Sequence, residues 1–409
     1  MQAFRTELKE HWPLVLTLFM MQVFAFGFPV FSLPFVYDGA TEEFEWTRQQ
    51  AVLLASFKFY IGAAAALIVG RLLDTIGPKF VVVVAAILGA LAMAGFMLAD
   101  NLPLYYALGV FLGLNGTGLA VSINVIASRM FQKATGTMLG IVLSGTSVAG
   151  MLLPLLMAPL MVTLGWRPAM AILSCGIWLV SLPAWLFLFR SGSPLGKRLQ
   201  KESFSAKKIG MGNHFKKLAG TRDFWFIFIG AFLVMGVDQA LVQNQVLFLK
   251  SEKGLSLEMV AWGASVLAGV GIVGKIFFGW IFDRLSILGI MLCYLLLAVS
   301  VGLAFSVIGI STMLVFMTVR GIAHAGLIVS GAILLKHRYG PNNLGINLGI
   351  YTLCASLGFG FLPPLMARMA DNSGSYYGAF AMGTVAVLIA AAFLFPVKPK
   401  FWKTHVSRK

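Results

Sequence analysis

Five charged or titratable side chains interrupt the long apolar runs of this chain: Lys58, Asp238, Lys275, Arg320 and His324. A charge at the centre of a membrane-crossing run costs on the order of 3 kcal/mol or more, so such residues characteristically face a cavity and serve a function. Asp238 opens a polar set with Gln239, Gln243 and Asn244. One carboxylate among several cations suits a proton-coupling residue, and equally a charge-balancing partner. Arg320 and His324 are spaced i, i+4 and share a helix face. A guanidinium grips a carboxylate with a planar fork. An imidazole can donate to a solute or carry a proton near neutral pH. Each has a plainer alternative: Arg320 as the ion-pair partner of Asp238, and His324 as a hydrogen-bonded packing residue. Lys275 lies four residues before Gly279 and eight before Asp283, which puts it about 12 Å inside its helix end. There an ammonium can pair with a solute carboxylate as a point charge, snorkel to an interface, or pair with Asp238. Lys58, twelve residues before Gly70, either draws anions into a vestibule or snorkels to the headgroups. Three cations against one acid leave an excess of positive charge that an anionic solute would neutralise. Asn115 and Tyr351, with Asn124, Ser144 and Gln22, are polar enough to line a path or to bond across helices.

The elements that carry these residues follow from composition. The chain has 409 residues, 59% of them hydrophobic and 11% charged. A soluble domain is typically about 25% charged. Apolar runs of the length needed to cross a hydrocarbon core recur along the whole chain, and they are continuous rather than alternating, which favours helices over a barrel. Twelve spans are expected, near 13–36, 50–72, 80–99, 103–128, 136–163, 168–190, 224–248, 258–282, 287–306, 310–335, 345–367 and 377–396. One long basic interruption divides them, so the expected organisation is a six-helix bundle over 1–190, a linker over 191–222, a second bundle over 223–397 and a tail over 398–409. The fold class expected is an all-α membrane protein of twelve helices in two pseudo-symmetric halves. Cys175, Cys293 and Cys354 all lie inside apolar runs and read as small hydrophobes, without metal or disulfide spacing.

Charge sets the orientation. With the N-terminus inside, the inward segments hold 23 of the 31 Lys and Arg, and the outward ones hold Arg48, Arg167, Lys250, Lys253 and Arg368. Asp38, Glu42, Glu43 and Glu45 fall in the first outward loop. Both termini are therefore expected in the cytoplasm, in an inner or plasma membrane. The net charge of +16 is a topology signal, and a nucleic-acid partner is not expected. The halves repeat: Gly70-Arg-Leu-Leu-Asp74 after span 2 is matched by Gly279-Trp-Ile-Phe-Asp283-Arg284 after span 8. Arg129 ends span 4 as Arg338 ends span 10, and Asn115 and His324 each lie fourteen residues before those arginines. Parallel repeats with a site between them are the arrangement this suggests.

The stretch Gly70 to Lys79, through Asp74 and Gly77, resembles the inter-helix signature of the major facilitator superfamily. The resemblance implies a conformational latch built from Gly70, Asp74, Gly77 and Lys79, repeated at Gly279, Asp283 and Arg284, with Arg129 nearby. A narrower likeness lies in Glu43-Phe44-Glu45-Trp46-Thr47-Arg48, in the Gly113 to Gly145 region and in Gly165-Trp166-Arg167-Pro168. These resemble the branch of monocarboxylate transporters and oxalate/formate exchangers. In that branch a span-8 arginine anchors the substrate carboxylate; Lys275 stands at the matching place here. The branch carries an Asp four residues earlier, where this chain has Gly271, so Asp238 is the obvious substitute. The exchangers also carry a basic residue in helix 11, which this chain lacks between Leu344 and Arg368.

The function expected is secondary transport of small organic anions, monocarboxylates foremost, by proton-coupled symport with alternating access. Proton-independent carboxylate exchange is the alternative, and a non-transporting receptor a more distant one. No enzymatic nucleophile motif, metal spacing or phosphate loop is present in the sequence. The expected coupling partner is the proton gradient, without a cofactor or metal. The expected partners are a small carboxylate and the lipid bilayer, with a monomer as the functional unit.

Overall fold

The computed structural model describes residues 2–130, 135–188, 216, 218–340 and 344–400. They are almost entirely helical, and among the described residues there is no strand. With no water in hydrocarbon, a helix satisfies its own backbone, and the continuous apolar runs take that route. The first span is built from α1 (Gln2–Met20), a π-helical turn (Met21–Gly27), α2 (Phe28–Phe31) and α3 (Leu33–Phe44). α4 (Arg48–Thr75), α5 (Pro78–Gly95), α6 (Leu102–Met130) and α7 (Thr135–Leu164) follow. α8 (Trp166–Gly176) and α9 (Leu182–Leu188) are joined by a second π-helical turn, Ile177–Ser181. The second set is α10 (Arg222–Ser251), α11 (Leu257–Leu285), α12 (Ile287–Phe305), α13 (Ile310–Tyr339), α14 (Leu344–Ser373) and α15 (Tyr377–Leu394). Eleven helical segments among the described residues are long and apolar enough to cross a membrane, and α4, at 28 residues, is a further long helix.

Local sequence chemistry sets several helix starts. Thr47 and Gln50 form a reciprocal capping box before α4: each backbone N–H is bonded by the other's side chain, at 2.9 and 3.1 Å. Asn101 accepts from the Leu104 N–H at 3.0 Å, and Ser256 caps α11 by accepting from Met259. The backbone divides into two compact units, residues 1–43 with 57–208 and residues 44–56 with 209–409.

One sequence expectation is corrected here. The first span does not stop near residue 36 but runs as helix to Phe44. Asp38, expected in an outward loop, is therefore helical and only 4% exposed. The apolar run was read by the length a helix needs to cross hydrocarbon, and its polar last turns escape such a criterion.

In the first unit the π-helical turn in the first span shifts the carbonyl register, and side chains from other helices meet the displaced backbone. Asn115 Nδ2 on α6 donates to the carbonyl of Ala25 at 3.1 Å and to that of Ala85 on α5 at 2.9 Å. Ser181 Oγ, in the second π-helical turn, donates to the Met20 carbonyl at 3.2 Å. One end of this unit is closed by ionic and aromatic contacts. Trp166 Nε1 donates to Glu43 at 2.6 Å, and Arg167 pairs with Glu43 at 3.3 Å and with Asp100 at 2.9 Å. Two of the three motifs that carried the narrower resemblance, one beginning at the end of the first span and one at the start of α8, therefore meet in space.

Candidate functional site

In the second unit α11 and α13 cross with almost no room between them. A Cβ on Gly321 would collide with the backbone carbonyl of Leu267, so only glycine allows the approach. This crossing fixes the neighbouring residue, Arg320, at 1% exposure. Its guanidinium Nη1 donates to Asp238 Oδ1 at 3.0 Å, and Nη2 donates to the Asp238 backbone carbonyl at 2.8 Å. One helical turn on, His324 Nδ1 lies 2.7 Å from the second carboxylate oxygen, Oδ2. A carboxylate only accepts, so Nδ1 carries the hydrogen of that bond, and Nε2 is left as the atom that can gain a proton. Asp238 itself is 3% exposed, whereas the His324 side chain keeps 23% exposure. Arg320 Nε makes no hydrogen bond. The arrangement is a buried carboxylate held from two sides by one permanent cation and one titratable ring.

Lys275 lies half-buried on α11. Its neighbour Gly274 packs against Ile322 and Ala325 of α13, at the level of the Arg320–His324 face. Lys275 makes interactions within the fold. Gly271, the position where the resemblance expects an acid, lies against Gly321 and Ala325. Asp238, the acid bonded to Arg320 beside Gly321, is carried by α10. Tyr351 is buried on α14 with its ring against Gly331, in a cluster with Tyr294 of α12 and Ser330 of α13. Cys293, next to Tyr294, has its Sγ 3.5 Å from the Ala323 carbonyl of α13. Tyr294 and Ser330 are members that the sequence reading did not single out. A tyrosine in the middle of the apolar span 9 was the available signal.

The other candidates lie elsewhere. Asn115 belongs to the first unit and spends both Nδ2 hydrogens on backbone carbonyls. Lys58, also in the first unit, is buried and makes no contact of this kind. Of the latch residues, Gly70 and Gly279 face open space where a Cβ would go, so close packing does not require glycine at either. Gly77 takes a φ of 86° ahead of Pro78, a turn conformation that favours glycine. The Lys79 carbonyl accepts from Trp185 Nε1 at 3.2 Å, and the Arg284 guanidinium lies 4.2 Å from the Trp280 ring centre. The side chains of Asp74, Asp283 and Arg129 lie outside the described part of the structure, as do residues 191–215 of the basic linker.

Helices of this number, in two related sets of six, with rare charges buried inside them, define a polytopic carrier. The Major Facilitator Superfamily model matches residues 14–319 and 287–408, and the chain belongs to that family. Monocarboxylate transporter 12 of Xenopus laevis is 26% identical over 331 residues, covering 75% of this chain and 72% of the relative. The MFS transporter asaE of Aspergillus flavus is 19% identical over 355 residues, covering 83% and 76%. Among solved structures, a bacterial homologue of the human lysosomal transporter Spinster, inward-facing and unoccupied, superposes with a TM-score of 0.73 at 18% identity. That match covers 95% of this chain and 97% of the other. A peptide transporter gives a TM-score of 0.76 at 11% identity, covering 95% of each. At these identities the solved structures speak to the fold alone. The chain is a multi-pass membrane transporter whose sequence resembles the monocarboxylate transporter branch.

Proposed function

We propose that the protein carries small monocarboxylates by proton-coupled symport with alternating access, in an inner or plasma membrane with both termini cytoplasmic. The single observation that carries this reading is the buried Asp238 carboxylate shared between Arg320 and His324. In the empty state Arg320 and Asp238 cancel each other's charge. A proton arriving through His324 and settling on Asp238 neutralises that acid and releases the guanidinium. A substrate carboxylate then replaces Asp238 against Arg320, with Lys275 as the second cation. One proton and one carboxylate enter together, so the buried charge is the same loaded and empty. That balance avoids the cost of an uncompensated ion in a low-dielectric site. The relatives named as monocarboxylate transporters support the substrate class.

Proteoliposome uptake tests the reading. Lys275→Ala should lower carboxylate uptake at least tenfold while the protein still folds; near-normal uptake by that variant contradicts the assignment. A second reading has its own support. Arg320 is held by both the side chain and the backbone of Asp238, which suits a permanent structural pair and proton-independent exchange. Dependence on internal counter-substrate, with no response to an imposed pH gradient, would favour exchange.

A further inference from the structure

Of the two lysine or arginine side chains buried to this degree among the described residues, Arg320 is paired and Lys58 is not. Lys58 is 5% exposed. Its Nζ is sealed from solvent and has no hydrogen-bond partner. Among the described residues it faces the ring of the adjacent Phe59, whose centre lies 5.1 Å away. An aromatic face offsets only part of the desolvation of an ammonium.

Snorkelling does not account for this lysine. Lys58 lies ten residues into α4, about 15 Å along the axis, farther than its side chain reaches. Nor can the helix slide to bring the amine out. The Lys58 carbonyl lies where a Cβ on Gly113 of α6 would have to go, and one turn on, Gly62 packs against Thr117 and Gly113. A leucine or methionine would fill the space without desolvating an amine. The amine is thus held, unpaired, at a fixed depth in the first unit.

We infer that Lys58 anchors a second anion site, in the first unit, that takes the carboxylate of a small organic acid during the transport cycle. This rests on the reading of the protein as an organic-anion carrier and adds a contact in a different unit from Asp238. The Phe59 ring beside the amine suits a carboxylate with an apolar body.

The test is mass-spectrometric mapping of reductive methylation at Lys58, with propionate as the probe, on the intact protein in detergent. Propionate should lower labelling of Lys58 several-fold, in the wild type and equally in Lys275→Ala. Chloride at matched ionic strength should not. Uptake by Lys58→Gln should show KM raised roughly tenfold or more, the loss expected for one charge-assisted bond, with maximal rate little changed. Lys58→Arg should recover most of that loss. Protection at Lys58 that persists when Lys275→Ala transports normally would keep this site and discard the Lys275 assignment. Labelling indifferent to propionate, or lowered only by added phosphatidylglycerol, overturns the inference even if Lys58→Gln fails to fold.

Discussion

The two units make the same helix-to-helix contact with different chemistry. In the first, α6 reaches the first span and α5 through Asn115, whose amide hydrogens go to the carbonyls of Ala25 and Ala85. In the second, α13 reaches α10 through Arg320 and His324, which converge on the carboxylate of Asp238. Asn115 and His324 are related by the internal repeat, each fourteen residues before the arginine that closes its span. A neutral amide on backbone carbonyls can only hold helices together. A carboxylate between a guanidinium and an imidazole holds them through groups that a proton can neutralise, which is the property the proposed symport uses. The helix ends repeat as well, and there the chemistry is alike. Glu43 binds the start of α8 through Trp166. Glu252 binds the segment entering α15, accepting from the Tyr376 N–H at 2.5 Å and from Ser375 Oγ at 3.1 Å. The repeat thus preserves the scaffold and diverges where a titratable group would matter.

That contrast can be broken in order of expected effect. Asp238→Ala leaves Arg320 buried without a counter-charge and should destabilise the protein by about 3–5 kcal/mol, read as a lower thermal midpoint. Replacing both partners, as in Asp238→Leu with Arg320→Met, should recover most of that stability while transport stays lost. A single variant that melts like the wild type would show that the pair is not an ionic bond. Next, Lys275→Ala should lower uptake at least tenfold, about 1.5–3 kcal/mol for a lost charged contact, with an unchanged melt. Asn115→Ala should cost about 1–3 kcal/mol of stability through unsatisfied carbonyls. Its uptake per folded molecule should be near normal, and a specific loss of transport would move Asn115 into the substrate path. Trp166→Phe removes one bond to Glu43 and should cost about 1 kcal/mol. Asp100→Asn should be the mildest, since that carboxylate is largely exposed and surface pairs contribute about 0–1 kcal/mol. Its small effect should vanish in high salt.

Much of this was legible in the sequence, for identifiable reasons. A charge inside an apolar run is rare and expensive, so Lys58, Asp238, Lys275, Arg320 and His324 stand out individually. The i, i+4 spacing of Arg320 and His324 fixes their common face before any fold is known. Their convergence on Asp238, 82 residues away for Arg320, depends on how α10 packs beside α13, which no local spacing encodes. Asp38 was missed because hydropathy ends a span where polar residues begin, while the helix continues. The π-helical turn at Met21–Gly27 leaves no mark in residue types; Asn115, which bonds the Ala25 carbonyl within it, is a polar residue in a span and reads equally as path or as brace. Lys58 was visible as a charge, but only its sealed and unpartnered Nζ separates an internal site from a snorkelling lysine.

The central claim is that Asp238 takes up the proton that admits the substrate. Asp238→Asn mimics the protonated acid and keeps the volume, so the most direct measurement is carboxylate uptake by this variant in proteoliposomes under an inward proton gradient, beside counterflow exchange without one. Accumulation driven by the gradient should be lost while counterflow persists, because the substrate can still occupy Arg320 but no proton need accompany it. Gradient-driven accumulation at the wild-type level would contradict the claim.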